Sequence, residues 1–304
     1  MTTLQAVELG VLGPLQVRQG GAPVIVPGAK PRAILTMLGL HGGSVVSADT
    51  LVELLWGEDP PRTAAKALQT HISSLRRALG DGFVLTAGAG WTLAESDVDA
   101  SRYKSAARLG RDAAAAGDIS HAVARFEEAL ALWRGVPELP DGRRGTSEKT
   151  RWIEGHAALV EDRLDALLAT GRAAEVVGDL EAAVADAPLR ERRWGQLMLA
   201  LYRAGRQGEA LNAYQRARSL LADELGVDPG PELRRLEAAI VAQDASLDIP
   251  VAQNLPAVTR AVTFLLTDIE GSTAAWEADA TLWGWRSRDT TSSSSRSLHH
   301  AADG

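Results

Sequence analysis

Four polar side chains in the first third of the chain recur at the period of an α-helix. They are spaced 4, 3 and 4 residues apart, and the set is Lys66, Thr70, Ser73 and Arg77. This spacing places all four on one helical face. Small hydroxyl groups allow a helix to approach the edges of DNA bases, while cations between them can contact phosphate. The pattern is typical of a DNA-reading helix, although an ordinary solvated face has a similar composition.

The rest of this stretch supports one amphipathic helix. Residues 61–80 contain four basic side chains and no acidic one, with Ser74 and Arg76 beside the polar face. The apolar side chains repeat the 4, 3 and 4 spacing and form the opposite stripe, which consists of Leu68, Ile72, Leu75 and Leu79. Pro61 favours a helix start and Gly80 a helix stop. The sequence therefore predicts a helix over residues 61–79.

The neighbouring elements predict how this helix is held. Short apolar runs between Gly and Pro turns predict strands within residues 7–26. Helices are predicted over 30–42 and 48–57, the second capped by Ser47 or Asp49. After the polar helix, FVLT and WTLA on either side of a Gly-rich turn predict a β-hairpin. Three short helices followed by a two-stranded wing form a winged helix-turn-helix, whose third helix enters the major groove.

Composition excludes several other classes of protein. The chain has 304 residues, no cysteine and a net charge of −7, so disulfides and cysteine-based zinc sites are excluded. The N-terminus lacks a secretory signal, and no apolar run approaches the roughly 18 residues that span a bilayer. We therefore expect a cytoplasmic protein. The acidic total argues weakly against nucleic acid as a partner, but residues 1–95 are electrically neutral and contain the basic stretch.

From residue 97 to residue 245 the sequence changes to helices rich in Ala, Leu and Arg. Helix pairs recur at a spacing of about 34 residues, as in tetratricopeptide (TPR) repeats. Small and large residues alternate at positions such as Gly205, Ala210 and Tyr214. Stacked helix pairs of this kind leave a concave surface for a partner. Residues 134–151, rich in Pro, Gly and charge, are predicted to be an exposed insertion.

Four stretches together resemble the SARP/AfsR-type bacterial transcriptional regulators. They are LGPLQV at 12–17, LVELLWGEDPP at 51–61, ALQTHISSLRRALG at 67–80 and GVDPGPELRRLEAAI at 226–240. The resemblance covers about four-fifths of the chain. It implies a mainly α protein in which an OmpR-like winged helix precedes a bacterial transcriptional activation domain of TPR-like helices.

The resemblance also implies a surface and partners. The implied DNA-binding residues are Lys66, Thr70, Ser73, Ser74 and Arg77, with Arg76 near backbone phosphate. The wing tip, Gly88-Ala89-Gly90, carries no basic residue, which departs from the pattern and leaves a minor-groove contact by the wing unsupported. The implied partners are double-stranded promoter DNA, RNA polymerase or another protein on the helical repeats, and a second copy on tandem DNA repeats. No cofactor is implied.

A separate stretch, AVTFLLTDIEGSTAAWE at 261–277, resembles the opening of class III adenylyl/guanylyl cyclase domains. In those enzymes Asp268 would be the first of two metal-binding aspartates. Two-metal phosphoryl transfer also needs a second carboxylate and a cation for the transition state, and both lie further downstream in that family. We therefore expect no enzyme activity and no metal site, with Asp268 a vestigial position.

The last 46 residues, 259–304, are predicted to form an unpaired strand followed by a disordered, Ser-rich tail. The tail bears no likeness to a cyclase, and if GC-rich codons are assumed for it, a reading frame shifted by two would encode an amphipathic helix there. We therefore hypothesise that a frameshift near residue 284 truncated a longer ancestor. His299 and His300 are interpreted as solvated tail residues, and His71, on the inner side of the third helix, as a packing residue.

These observations predict five segments and favour one function. The segments are a winged-helix DNA-binding domain at 1–95, a TPR-like activation domain at 97–245, a linker at 246–258, a truncated cyclase fragment at 259–284 and a disordered tail at 285–304. The favoured hypothesis is a sequence-specific DNA-binding transcriptional regulator. The alternatives are a TPR-like interaction scaffold without affinity for DNA and a degenerate remnant of a regulator–cyclase fusion.

Overall fold

A four-stranded sheet begins the fold in the computed structural model, which describes residues 7–94 and 96–248. Strands β1 (Val7–Gly10), β2 (Gln16–Gln19) and β3 (Ala22–Pro23) form an antiparallel meander, so the strands predicted in this region are confirmed. Strand β7 (Asp97–Val98) pairs in parallel with β1. The chain therefore returns to the edge of its first sheet before the helical repeats begin.

Three helices follow, in the predicted order: α1 (Ala29–Leu40), α2 (Ala48–Trp56) and α3 (Ala64–Leu79). Ser47 caps α2, because its hydroxyl oxygen accepts a hydrogen bond from the Thr50 amide at 3.1 Å. The third helix begins at Ala64 rather than Pro61, and residues 61–63 lie in the preceding turn. The predicted apolar stripe of α3 is buried along its whole length.

The wing has three strands rather than the two predicted. Strand β6 (Gly90–Leu93) lies between β4 (Val46–Ser47) and β5 (Val84–Ala87). Residues 88 and 89 form the hairpin turn, so Gly90 belongs to β6 rather than to the tip. A Cβ on Gly90 would lie 2.1 Å from the Val46 carbonyl oxygen, so only glycine allows β4 to pair at this point.

Seven helices form the second part of the described chain. They are α4 (Asp99–Ala115), α5 (Ile119–Ala131), α6 (Arg143–Ala169), α7 (Ala173–Asp186), α8 (Glu191–Arg203), α9 (Gln207–Leu225) and α10 (Pro231–Ala242). Each of these helices contacts the next one in sequence. Helix α9 ends at Gly226, which has a left-handed conformation, and Pro231 opens α10. Residues 226–230 therefore form the turn, and α10 the helix, of the GVDPGPELRRLEAAI stretch.

Residues 134–151 are not an exposed insertion, and that prediction was wrong. Helix α6 already begins at Arg143, and Leu139 is buried in the apolar core. This core is continuous from Val7 in β1 to Ala166 in α6. The charged side chains of this segment form polar contacts, described below, with the N-terminal sheet and with α2. These partners lie far away in the sequence.

No helix of the described residues is both long and apolar enough to cross a bilayer. The chain beyond Asp248 lies outside the described residues. Several predictions fall there: most of the 246–258 linker, the cyclase-like stretch with Asp268, the Ser-rich tail, and His299 and His300.

Candidate nucleic-acid interface

The predicted polar side chains of α3 lie together on the outer surface of that helix. Lys66, Thr70, Ser73 and Arg77 are exposed, while Ser74 is half-buried at one margin. The buried stripe that begins at Leu68 holds the opposite side of α3 against the core. Because packing fixes the inner side of α3, the polar side chains on the opposite side are held facing the solvent.

The cations of this surface have no acidic partners within the described chain. No carboxylate oxygen of residues 7–94 or 96–248 lies within 4.0 Å of a side-chain nitrogen of Lys66 or Arg77, and the same holds for Arg62 in the preceding turn. The Thr70 hydroxyl donates a hydrogen bond to the Lys66 carbonyl oxygen at 3.0 Å. The Thr70 oxygen can therefore only accept a hydrogen bond from outside the helix.

Arg76 is directed elsewhere. Its Nε donates to the Val84 carbonyl oxygen at 2.8 Å, and its Nη2 donates to the Thr86 hydroxyl at 2.8 Å. Both acceptors belong to β5 of the wing. Arg76 thus connects the wing to α3 through two hydrogen bonds within the protein.

Gln69 is exposed on α3 and was missed by the sequence analysis. It lies three residues after Lys66 and four before Ser73, which places it beside the predicted surface, towards the side of Arg76 and the wing. That spacing was available in the sequence, but the search for cations and hydroxyls passed over an amide. We call Lys66, Gln69, Thr70, Ser73 and Arg77 the α3 face.

His71 lies half-buried on the inner flank of α3, beside α2. Its ring stacks on Trp56 with 6.4 Å between centroids, and Lys30 Nζ lies 4.3 Å from the centroid of the Trp56 ring. Burial, followed by the positive charge of Lys30, lowers the pKa of His71. These contacts give His71 a packing role between α2 and α3.

The two halves of the described chain meet around the turn between β1 and β2. The Asp99 carboxylate, at the start of α4, accepts hydrogen bonds from the Val11 amide at 2.8 Å and the Leu12 amide at 3.1 Å. Arg134 Nη2 donates to the same carboxylate at 3.1 Å, and Arg134 Nη1 donates to the Pro14 carbonyl oxygen at 2.9 Å. The LGPLQV stretch is therefore a place where the N-terminal part of the chain contacts the helical repeats.

Two further sets of contacts strengthen this junction. Glu138 accepts hydrogen bonds from Arg32 of α1, the shorter at 2.6 Å, and from the Leu15 amide at 3.1 Å. The Arg32 hydrogen bonds hold the pKa of Glu138 below its usual range. Glu53 of α2 accepts from Arg143 at 2.7 Å and from Arg144 at 3.1 Å. We call these contacts, with those of Asp99 and Arg134, the junction.

The described residues offer no metal centre, since they contain no group of three His, Cys, Asp or Glu side chains placed to hold an ion. The chemistry on this surface is that of hydrogen bonding and charge. Cations, hydroxyls and one amide on a firmly packed helix can bind phosphate and base edges.

Comparison with known proteins identifies two families of domains in the chain. Residues 98–241 match the bacterial transcriptional activator domain. Residues 24–87 match the C-terminal domain of transcriptional regulatory proteins. The first match covers α4 to α10, and the second contains α1 to α3 with the first wing strands.

The chain is also similar to known regulatory proteins over most of its length. The chain is 40% identical over 247 residues to the regulatory protein AfsR of Streptomyces coelicolor, covering 80% of this chain and 25% of AfsR. It is 35% identical over 274 residues to the regulatory protein DnrI of Streptomyces peucetius, covering 85% of this chain and 99% of DnrI. The chain thus spans a quarter of AfsR but almost the whole of DnrI.

A solved structure is similar over most of the fold. It is that of EmbR from Mycobacterium tuberculosis in complex with a low-affinity phosphopeptide, with a TM-score of 0.74 and 35% identity. The match covers 79% of this chain and 66% of the EmbR chain. The mainly α fold predicted from the sequence is thereby confirmed.

Proposed function

The chain belongs to the SARP/AfsR family of bacterial transcriptional regulators, and on that premise we propose that it binds double-stranded promoter DNA through α3 and a protein partner through its helical repeats. DNA binding is assigned to residues 1–95 and partner binding to residues 97–245. The site of action is the cytoplasm, where promoter DNA lies.

One observation carries the proposal: the α3 face presents cations that no carboxylate of the described chain neutralises. Elsewhere in the molecule many arginines form ion pairs, for example those of the junction. Exposed cations on a packed helix are available to phosphate, whose contacts supply most of the non-specific affinity of DNA-binding proteins. Lys66 and Arg77 are therefore proposed as phosphate contacts.

The hydroxyl groups of the same face are proposed to lie closer to the bases. In helix-turn-helix proteins the N-terminal part of the recognition helix contacts base edges. Thr70 and Ser73 lie in the first ten residues of the 16-residue helix α3, whereas Arg77 lies in its last turn. Ser74 marks the margin of the surface, and Arg76 is proposed to position the wing.

The protein partner is proposed to be RNA polymerase or another protein of the transcription machinery. A groove of about 600 Å³ lies between α6, α8 and α10. Its apolar lining includes Leu199, Leu233 and Leu236, with Asp165 and Glu232 among its polar lining residues. Stacked helices with such a groove suit a protein segment. A second copy of the chain on tandem DNA repeats is a further proposed partner.

Competition binding tests the proposal. The full chain is titrated onto a fragment of its own upstream DNA in the presence of excess random duplex. Tight binding that resists the competitor is expected for a sequence-specific regulator. Weak binding that is equal on both DNAs would contradict it and would favour an interaction scaffold without DNA specificity.

The scaffold alternative has one observation in its favour, the wing tip. The side chains of Gly88 and Ala89 carry no charge, so the turn presents no cation to phosphate.

A separate proposal concerns residues 261–277, whose resemblance to a cyclase opening suggests descent from a regulator–cyclase fusion. The DNA sequence of the gene tests that descent, because a frameshifted cyclase predicts cyclase-like codons in a shifted frame after residue 284. If no reading frame after residue 284 encoded a cyclase-like sequence, the proposed descent would be contradicted.

A further inference from the structure

We propose that Gln69 reads an adenine in the major groove and thereby fixes one base pair of the DNA target. This inference rests on the proposed DNA-binding function and adds to it the chemical identity of one position in the site. It concerns a side chain that neither the sequence pattern nor the family matches single out.

The position of Gln69 suits contact with a base. It is the sixth residue of α3, within the N-terminal part that meets base edges in helix-turn-helix proteins. Its side chain is exposed, while its neighbour Leu68 is only 1% exposed and locks the inner side of the helix into the core. The backbone of Gln69 is therefore held, and its amide points away from the protein interior.

The amide of Gln69 is also available. Among the described residues, the α3 side chains that hydrogen-bond within the protein are those of Thr70, to the Lys66 carbonyl oxygen, and Arg76, to β5. A long, exposed amide without such a partner keeps both its donor and its acceptor. Water fills these positions in the free protein, and a base can replace that water.

The chemistry of the α3 face then selects adenine for this residue. Adenine presents the N7 acceptor and the N6 donor side by side in the major groove, and a glutamine amide matches that pair with two hydrogen bonds. Lys66 has donors only, and Ser73 has a single short hydroxyl. Thr70 has committed its proton to Lys66. Gln69 is therefore the side chain of the α3 face with a planar donor–acceptor pair.

Selection from a random-sequence duplex library tests the inference with the full chain. Wild type, Gln69→Ala and Gln69→Glu are compared, together with Gln215→Glu as a matched control on the exposed side of α9. Wild type is expected to enrich a site with an adenine at one fixed position. Replacing that A·T pair with G·C is expected to weaken wild-type binding by roughly tenfold.

Each variant has its own expected result. Gln69→Ala loses discrimination at that single position and keeps the preferences at all others. Gln69→Glu moves the preference at that position to cytosine, because a carboxylate accepts from cytosine N4. Gln215→Glu selects the wild-type site. Circular dichroism of each variant confirms that the helices are retained.

Two results would overturn the inference, and they are distinguishable from each other. If Gln69→Ala selects the same site with the same preference at every position, Gln69 does not read a base although the protein binds specific DNA. If wild type enriches no sequence at all, the proposed function fails and the inference fails with it.

Discussion

The α3 face and the junction use the same kinds of charged side chain in opposite ways. At the junction, Arg134 and Arg32 are bonded to carboxylates and to backbone groups within the protein. On the α3 face, Lys66 and Arg77 extend into solvent without a carboxylate partner among the described residues. The charged side chains of the junction stabilise the contact between two parts of the chain, whereas those of the α3 face remain available to bind a ligand.

This difference shows why net charge is a poor guide to the function of this protein. The chain is acidic overall, at −7, yet the distribution of partners leaves a local basic surface. An arginine becomes informative only when its acceptors are known. Two neighbouring residues of α3 show this difference. Arg76 hydrogen-bonds to the wing, although it lies next to the exposed Arg77 in sequence.

The largest expected effect comes from breaking the junction at Asp99. In Asp99→Ala, the buried amides of Val11 and Leu12 lose their acceptor and Arg134 loses its carboxylate. The free energy of unfolding is expected to fall by about 3 kcal/mol in denaturant titrations, because buried donors left without partners lose their full solvation. Asp112→Ala, which removes an exposed ion pair on α4, serves as the control and should cost less than about 0.5 kcal/mol. Equal losses in the two variants would remove the distinction between buried and exposed charges.

An intermediate effect is expected at Arg76, where the comparison can be made between adjacent residues. Arg76→Ala should lower the free energy of unfolding by about 1 kcal/mol, because two hydrogen bonds to β5 are lost. Arg77→Ala should change it by less than about 0.5 kcal/mol, since Arg77 is exposed. In DNA binding the order of the two effects is expected to be reversed. Arg77→Ala should weaken the dependence of DNA affinity on salt concentration, and Arg76→Ala should not. If Arg76→Ala instead lowered the salt dependence of DNA binding by as much as one phosphate contact, Arg76 would have to be counted among the DNA-contacting residues.

The smallest effect concerns the pH dependence of the junction. Arg32 lowers the pKa of Glu138 from the ordinary value of 4.5, so the ionised carboxylate is favoured in the folded protein. Its contribution to stability is present above about pH 4.5 and is lost as the pH falls through the lower pKa of the folded state.

Glu138→Gln removes that titration, so the free energy of unfolding should fall less steeply below pH 4.5 in the variant than in wild type. The difference should stay below about 1 kcal/mol because both side chains are partly exposed. It should shrink further in about 1 M salt, where the charges are screened. Identical pH profiles for the two proteins would show that the pair does not contribute to stability.

The elements of the fold were predictable where their signal is local. The 4, 3 and 4 spacing of Leu68, Ile72, Leu75 and Leu79 indicated α3 and its buried side, and all four are buried. The end of α3 at Gly80 was equally clear, because a glycine after a helix can adopt the positive φ that closes its last turn.

The junction could not be predicted in the same way. Asp99 and Val11 are 88 positions apart, and Glu138 and Leu15 are 123 positions apart. Such contacts leave no periodicity in the sequence, so residues 134–151 looked like a polar loop. Strands β4 and β7 have two residues each, and they form only because a distant strand supplies the pairing. The partners of Arg76 were hidden for the same reason.

The most direct test of the account is a salt titration of DNA binding by the full chain. Each phosphate contact contributes about 0.9 to the slope of the logarithm of affinity against the logarithm of salt concentration. The double variant Lys66→Ala/Arg77→Ala should therefore lower the magnitude of the slope by about 1.8. The matched control Arg234→Ala/Arg235→Ala, which removes two exposed cations from α10, should keep the wild-type slope. An unchanged slope in the α3 variant, or equal reductions in both variants, would contradict the assignment of the α3 face to DNA.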